Sequence, residues 1–222
     1  MKIIDKIFPV EAAAPQRDVI ARAVAVLQSG GMVVFPTQGL YGLGVAALNA
    51  PAVEAIYNLK GRNRAKPILV LIDTLRMLES VAEPPSARIR SLMTHFWPGG
   101  VTFVVHARAG LPVVLTGGGA NIGVRQVAHP VARAIVQAMQ TPITGTSANL
   151  SGAGGCALVA DIDPTVIDRV DLVLDAGRLA GGVGSTVVDC TAGKPVILRA
   201  GAVPVDEIMD VWHRLAKRRV GE

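Results

Sequence analysis

The sequence predicts an α/β fold in a single domain of 222 residues, with a twisted sheet of mixed parallel and antiparallel strands and helices packed on it. Three observations carry that expectation. Stretches with apolar residues at helical spacing, such as 16–29 and 130–139, are interspersed with short branched aliphatic runs such as Met32–Phe35, Ile68–Ile72 and Val101–His106. Several strand candidates follow one another too closely for a helical crossover; Ser185–Arg199 reads as an antiparallel hairpin around Ala192-Gly193. Half of the residues are apolar but only 4% are aromatic, so the chain has enough material for a sizeable core and that core is aliphatic.

In chain order, residues 1–15 read as a short strand or arm ending in an Ala/Pro connection. Val19, Ile20, Ala23, Val26 and Leu27 form one stripe of a helix over 16–29, which Gly30-Gly31 stops. Met32–Phe35 is a buried strand, and Thr37–Gly44 is a glycine-rich stretch whose backbone can approach another segment or a ligand closely. Asn49 caps a helix with Pro51 in its first turn, and that helix delivers the chain to Lys60. After the Ile68–Ile72 strand, helices over 74–81 and 86–96 flank Pro84-Pro85, and Trp97-Pro98-Gly99-Gly100 turns into the Val101–His106 strand. The stretch 111–119 is turn-rich, Ile122–Arg125 is a short strand, and Pro130–Met139 is a helix with His129 as its cap. Further strands are expected near Asp171–Leu174, Thr186–Asp189 and Pro195–Arg199, and a helix from about Pro204 closes the chain. The whole of 1–222 is read as one domain, with a motif-bearing core over 30–201 and a terminal helix over 202–222.

Composition narrows the function. The formal charge of +5 favours anionic partners such as nucleotides or RNA. Cys156 and Cys190 stand far apart with no second Cys or His at ligand spacing, which supports neither a zinc site nor a redox pair. No apolar run approaches the length needed to span a bilayer and the N-terminus has no signal-like apolar region, so a cytoplasmic protein without membrane contact is expected.

The most informative stretch is Lys60–Ile72. Lys60, Arg62, Arg64 and Lys66 alternate with small or polar residues before Pro67 opens a buried strand. Gly61 and Pro67 disfavour a helix there, which puts the cations on a loop at the edge of a rigid element, where polyphosphate is the natural counter-charge. Three common signatures fit poorly. Gly42–Ala47 matches GxGxxA, but its helix starts only after Asn49 and no acidic residue lies about twenty positions on. No Walker-type GxxxxGK[ST] occurs. Gly145–Asn149 approximates a nucleophile elbow, and Ser147, Asp175 and His213 fall in hydrolase order, but the closing glycine is missing. What remains is an inventory of cations (Lys60, Arg62, Arg64, Arg125, Arg199), hydroxyls (Thr37, Ser147, Ser185) and glycine-rich backbone, suited to holding anions rather than to acid/base chemistry.

Phe35-Pro36-Thr37 with Tyr41-Gly42-Leu43-Gly44, Lys60-Gly61-Arg62, Lys66-Pro67, Trp97-Pro98-Gly99 with Thr102-Phe103, Val124-Arg125 with His129-Pro130, Ser147-Ala148-Asn149, and Gly184-Ser185-Thr186 with Leu198-Arg199 together resemble the YrdC-like threonylcarbamoyl-adenylate synthases. The resemblance implies a YrdC-like fold and a reaction in which L-threonine, bicarbonate and ATP, with Mg²⁺, give threonylcarbamoyl-adenylate and pyrophosphate. That product feeds threonylcarbamoyladenosine modification of tRNA. By resemblance, Lys60 and Arg62 are the catalytic cations. Lys60, Arg62, Arg64, Asn121, Ser147, Asn149 and Arg199 hold ATP, while Thr37, Arg125 and Ser185 hold threonine, with no protein metal site. The resemblance also implies a downstream tRNA threonylcarbamoyltransferase, weak tRNA contact, and the short bacterial form without a further C-terminal domain. Gln38, Asn63 and Leu71 depart from the family's commoner Glu, Pro and His and bear on substrate detail rather than class. An RNA-binding module, or a carbamoyl-transfer relative acting on another acceptor, is the alternative.

Overall fold

A computed structural model describes residues 6–217. The chain runs β1 (Ile7–Pro9), α1 (Arg17–Gln28), β2 (Val33–Pro36), β3 (Tyr41–Gly44), α2 (Ala50–Lys60), β4 (Val70–Ile72), α3 (Leu75–Leu78) and α4 (Ala87–Phe96). It continues through β5 (Val101–His106), α5 (Val113–Thr116), β6 (Asn121–Gln126), α6 (Pro130–Met139), β7 (Ile143–Thr144) and β8 (Thr146–Ser147), and ends with α7 (Pro164–Arg169), β9 (Leu172–Asp175), β10 (Thr186–Asp189), β11 (Val196–Arg199) and α8 (Val205–Lys217).

The α/β class and the mixture of strand directions are as expected, but the strands divide between two sheets. One has five strands in the order β1-β9-β2-β3-β8, the other six in the order β11-β10-β5-β6-β4-β7. They are joined at 143–147. β7 pairs with β4, the chain turns at Gly145, and β8 pairs with β3. A Cβ on Gly145 would lie 2.6 Å from Leu71, so a glycine lets the backbone cross at this corner. Helices α1 and α6 pack together over one face and share a core of residues such as Leu27, Phe35, Val131 and Ile135. A larger core, including Tyr57, Met93, Phe103 and Trp212, lies beneath α2, α4 and α8.

Capping signals in the sequence act as expected. Asn49 Oδ1 accepts from Ala52 N, Gly61 closes α2 in the left-handed region at φ 59°, and His129 Nδ1 accepts from Val131 N at 3.3 Å. The β10–β11 hairpin is antiparallel with Gly193 at φ 76° in its turn.

The glycine-rich stretch 37–44 supplies a strand, Tyr41–Gly44, which is fully buried and pairs antiparallel with β2. Two expectations are corrected. The stretch 111–119 carries the short helix α5, and α7 was unforeseen. Lys60 belongs to the last turn of α2 rather than to the loop beyond it. Of the expected arm and terminal helix, residues 1–5 and 218–222 lie outside the described residues.

Candidate active site

A cleft of about 650 Å³ opens between the two sheets. The five-stranded sheet and the loops beside it contribute Thr37, Tyr41, Ser147 and Asn149; the six-stranded sheet contributes Thr102, Asn121, Arg125, Ser185 and Arg199. Strand periodicity explains the second group: Asn121, Gly123 and Arg125 share one face of β6, beside Thr102 and Val104 on β5.

On the first wall, Ser147 Oγ donates to Asn149 Oδ1 and Asn149 Nδ2 donates to Ala153 O. Behind them the Lys60 ammonium donates to the main-chain oxygens of Ser147 and Asn149 and to Asn149 Oδ1 at 3.1 Å. Arg62 reaches the rim, with its guanidinium anchored on Lys66 O at 3.2 Å and Pro67 O at 2.8 Å.

The opposite wall is cationic. Arg199 Nη2 donates to Ser185 O at 2.7 Å, and the Ser185 and Thr102 hydroxyls are 2.7 Å apart. Arg125 Nε is buried without a hydrogen-bond partner. Burial, and then the Arg199 charge, bring the Arg125 guanidinium down to about 10. A second guanidinium facing the same cavity disfavours the charged form of buried Arg125 until an anion arrives between them. Among the described residues Asp189 is the one carboxylate lining the cleft, and its Oδ1 already accepts from Thr191 N and Thr191 Oγ1 at 2.8 and 2.7 Å. Among the described residues no group of three or more His, Cys, Asp or Glu is arranged to hold a metal ion.

The cleft therefore brings together Thr37, Arg62, Asn121, Arg125, Ser147, Asn149, Ser185 and Arg199. Two expected residues stand apart from it. Lys60 is 4% exposed and turns its ammonium into the wall, because the carbonyls of 147–149 supply acceptors there. Arg64 points away, bonding Asn58 Oδ1 at 2.9 Å and pairing with Glu54 on α2. The hydrolase order of Ser147, Asp175 and His213 is not a triad. Ser147 bonds Asn149, Asp175 accepts from Tyr41 Oη at 3.1 Å, and His213 lies on α8, which packs on α4. Thr102, Gly123 and Asp189 went unassigned in the sequence; the alternation along 101–106 was the signal for Thr102, while Asp189 had only its place at a strand end.

A family described as telomere recombination (Sua5/YciO/YrdC) matches residues 25–201. The chain is 34% identical over 189 residues to a threonylcarbamoyl-AMP synthase of Pyrococcus abyssi, a match covering 85% of this chain and 56% of that protein. It is 35% identical to a protein of the same name from Bacillus subtilis, covering 85% and 55%. The chain thus spans a little over half the length of these relatives. The crystal structure of P. abyssi Sua5 complexed with L-threonine superposes with a TM-score of 0.88 at 33% identity, covering 92% of this chain and 60% of that one. With a match running from the end of α1 to just past β11, and so across every wall of the cleft, the protein belongs to the Sua5/YciO/YrdC family.

Proposed function

We propose that the protein is an L-threonylcarbamoyladenylate synthase, converting L-threonine, bicarbonate and ATP to threonylcarbamoyl-AMP and pyrophosphate. The observation that carries the reading is the cleft's pair of cationic ends: Arg125 and Arg199, paired with no carboxylate among the described residues, on one side, and Arg62 beside the Ser147–Asn149 wall on the other. The names of the relatives and the threonine held by P. abyssi Sua5 support the same substrates.

In this reading Arg125 forks onto the threonine carboxylate, with Thr37 and Ser185 on the rest of the amino acid. Arg62, Ser147 and Asn149 hold phosphates, while Asn121 and Arg199 reach the nucleoside end. Threonine's amine adds to bicarbonate with loss of water; an oxygen of the resulting carbamate attacks the α-phosphorus and pyrophosphate leaves. The carbamate is already nucleophilic, so the chain's task is alignment and charge neutralisation. Mg²⁺ enters as part of the Mg·ATP substrate, carried by its phosphates. The domain proposed to do this is the single unit read from the sequence, acting in the cytoplasm, touching tRNA weakly at most and passing its product to a tRNA threonylcarbamoyltransferase.

Pyrophosphate release from Mg·ATP tests the proposal. It should require both threonine and bicarbonate, and threonylcarbamoyl-AMP should appear in equal amount. Release that is indifferent to threonine would assign the cleft to another carbamoyl acceptor.

A further inference from the structure

His106, the last residue of β5, lies outside the cleft but is tied to a residue inside it. The β5–β6 register sets His106 directly opposite Asn121, so both side chains leave the face of the six-stranded sheet that also carries Thr102, Val104 and Arg125. Asn121 lines the cleft, whereas His106 lines a neighbouring groove of about 420 Å³ formed by the loops on either side of α5. The imidazole bridges two segments. Its Nδ1 is 3.2 Å from Asn121 Oδ1, and its Nε2 is 3.2 Å from Thr191 O in the turn of the β10–β11 hairpin. That turn is itself braced, because Thr191 N and Thr191 Oγ1 both donate to Asp189 Oδ1. A protonated ring donates to both oxygens; a neutral ring gives its one N–H to Thr191 O and accepts at Nδ1 once the Asn121 amide turns over to offer Nδ2. The tie holds in either state. Among the described residues no other group hydrogen-bonds the Asn121 side chain, and the ring is exposed, so core packing does not account for it.

We propose that His106 is a positioning residue for the nucleotide, fixing the Asn121 amide at the nucleoside end of the cleft before ATP arrives. The inference rests on the ATP reading of the cleft and gives His106 no contact with substrate. A side chain that rotates freely loses that freedom when it binds a ligand, and one already held does not, so the tie lowers the cost of binding. The proposed threonine ligands Thr37, Arg125 and Ser185 make no hydrogen bond to His106 and should not register its loss.

Steady-state pyrophosphate release, with ATP and threonine varied in turn, reads the tie. His106→Ala should raise the ATP KM about three- to tenfold, the span expected for one immobilised side chain, and leave the threonine KM unchanged. Two conservative variants separate the ring's bonds. His106→Asn places an amide where Nδ1 stood and should restore the ATP KM; His106→Gln places one where Nε2 stood, keeps the bond to Thr191 O and should not. In an Asn121→Ala background, itself raised in ATP KM, His106→Ala should add nothing further. Rescue by Gln in place of Asn would make His106 an anchor of the hairpin turn and overturn the role, as would a His106→Ala protein with the wild-type ATP KM. Both of those results leave the synthase reading intact, and that reading falls separately if wild-type release does not require threonine. Should His106→Ala fail to fold, the Asn and Gln variants still decide, since each retains one of the two bonds.

Discussion

Arg125 is under strain of charge rather than of geometry. Its Nε is buried without an acceptor, and the charge that bears on it is another guanidinium, that of Arg199. Such a group destabilises the free protein and is useful only when an anion fills the space beside it. Arg125→Met removes the repulsion, so the melting temperature should hold or rise while kcat/KM for threonine falls by at least about tenfold, roughly 1.4 kcal/mol. Arg125→Lys keeps a charge but loses the planar fork, and should also raise the threonine KM with little change for ATP. If both variants kept a wild-type threonine KM, the carboxylate would have to be held elsewhere, with Arg199 the next group to substitute. At this scale the sequence listed the guanidiniums and hydroxyls that the fold gathers along one cleft, Thr37, Arg62, Arg125, Ser147, Ser185 and Arg199 among them. Direction was not legible: Lys60 and Arg64 sit in the same charged run as Arg62, yet one turns inward to carbonyls, one outward to Glu54, and only Arg62 reaches the cleft.

The β2–β3 hairpin shows why glycine misleads when elements are read from sequence. Tyr41–Gly44 carries two glycines, which normally weaken a strand, so the sequence alone marks it as a place of close backbone approach and not as a strand. In the fold those glycines are what allow the strand. A Cβ on Gly44 would sit 2.8 Å from the Phe35 ring and also meet the Thr144 carbonyl, and one on Gly42 would sit 3.0 Å from Thr37 Cγ2. The neighbours of Gly44 are a buried ring and a main-chain oxygen, neither of which can move aside easily. Gly44→Ala should thus cost about 1–3 kcal/mol by overpacking, seen as a lowered denaturation midpoint with an unchanged slope. Gly154→Ala is the control, since nothing lies within 4 Å of its Cβ position, and it should leave the midpoint in place. Equal midpoints for the two variants would mean that the hairpin is looser than its contacts imply. Helices were the more legible elements. α2 and α6 announce themselves by Asn49 and His129 at their caps and by proline in their first turns, signals that act locally. α5, at four residues, is too short to show a period at all.

For the whole molecule the division into two sheets matters most, and it was the feature least available beforehand, because strand order is set by pairings far apart in the sequence. β10 lies parallel to β5 and β9 parallel to β2, and each pairing crosses many intervening residues. The chain passes from one sheet to the other only a residue before Thr146-Ser147, so the corner at Gly145 sets the Ser147–Asn149 wall against Arg125 and Ser185. A ligand in the cleft must then tie the sheets together. The proposed threonine site takes Thr37 from beside the five-stranded sheet and Arg125 and Ser185 from the six-stranded one. Threonine with Mg·ATP should therefore slow amide exchange in both sheets at once, in peptides covering 143–155 and in peptides covering 121–126 and 185–199. Hydrogen exchange followed by mass spectrometry makes the comparison, and α4 and α8, which contribute no residue to the cleft, serve as internal references. Ligand-dependent protection confined to the six-stranded sheet would leave Thr37, Ser147 and Asn149 without a role. The two cationic ends would then serve separate anions rather than one reacting pair.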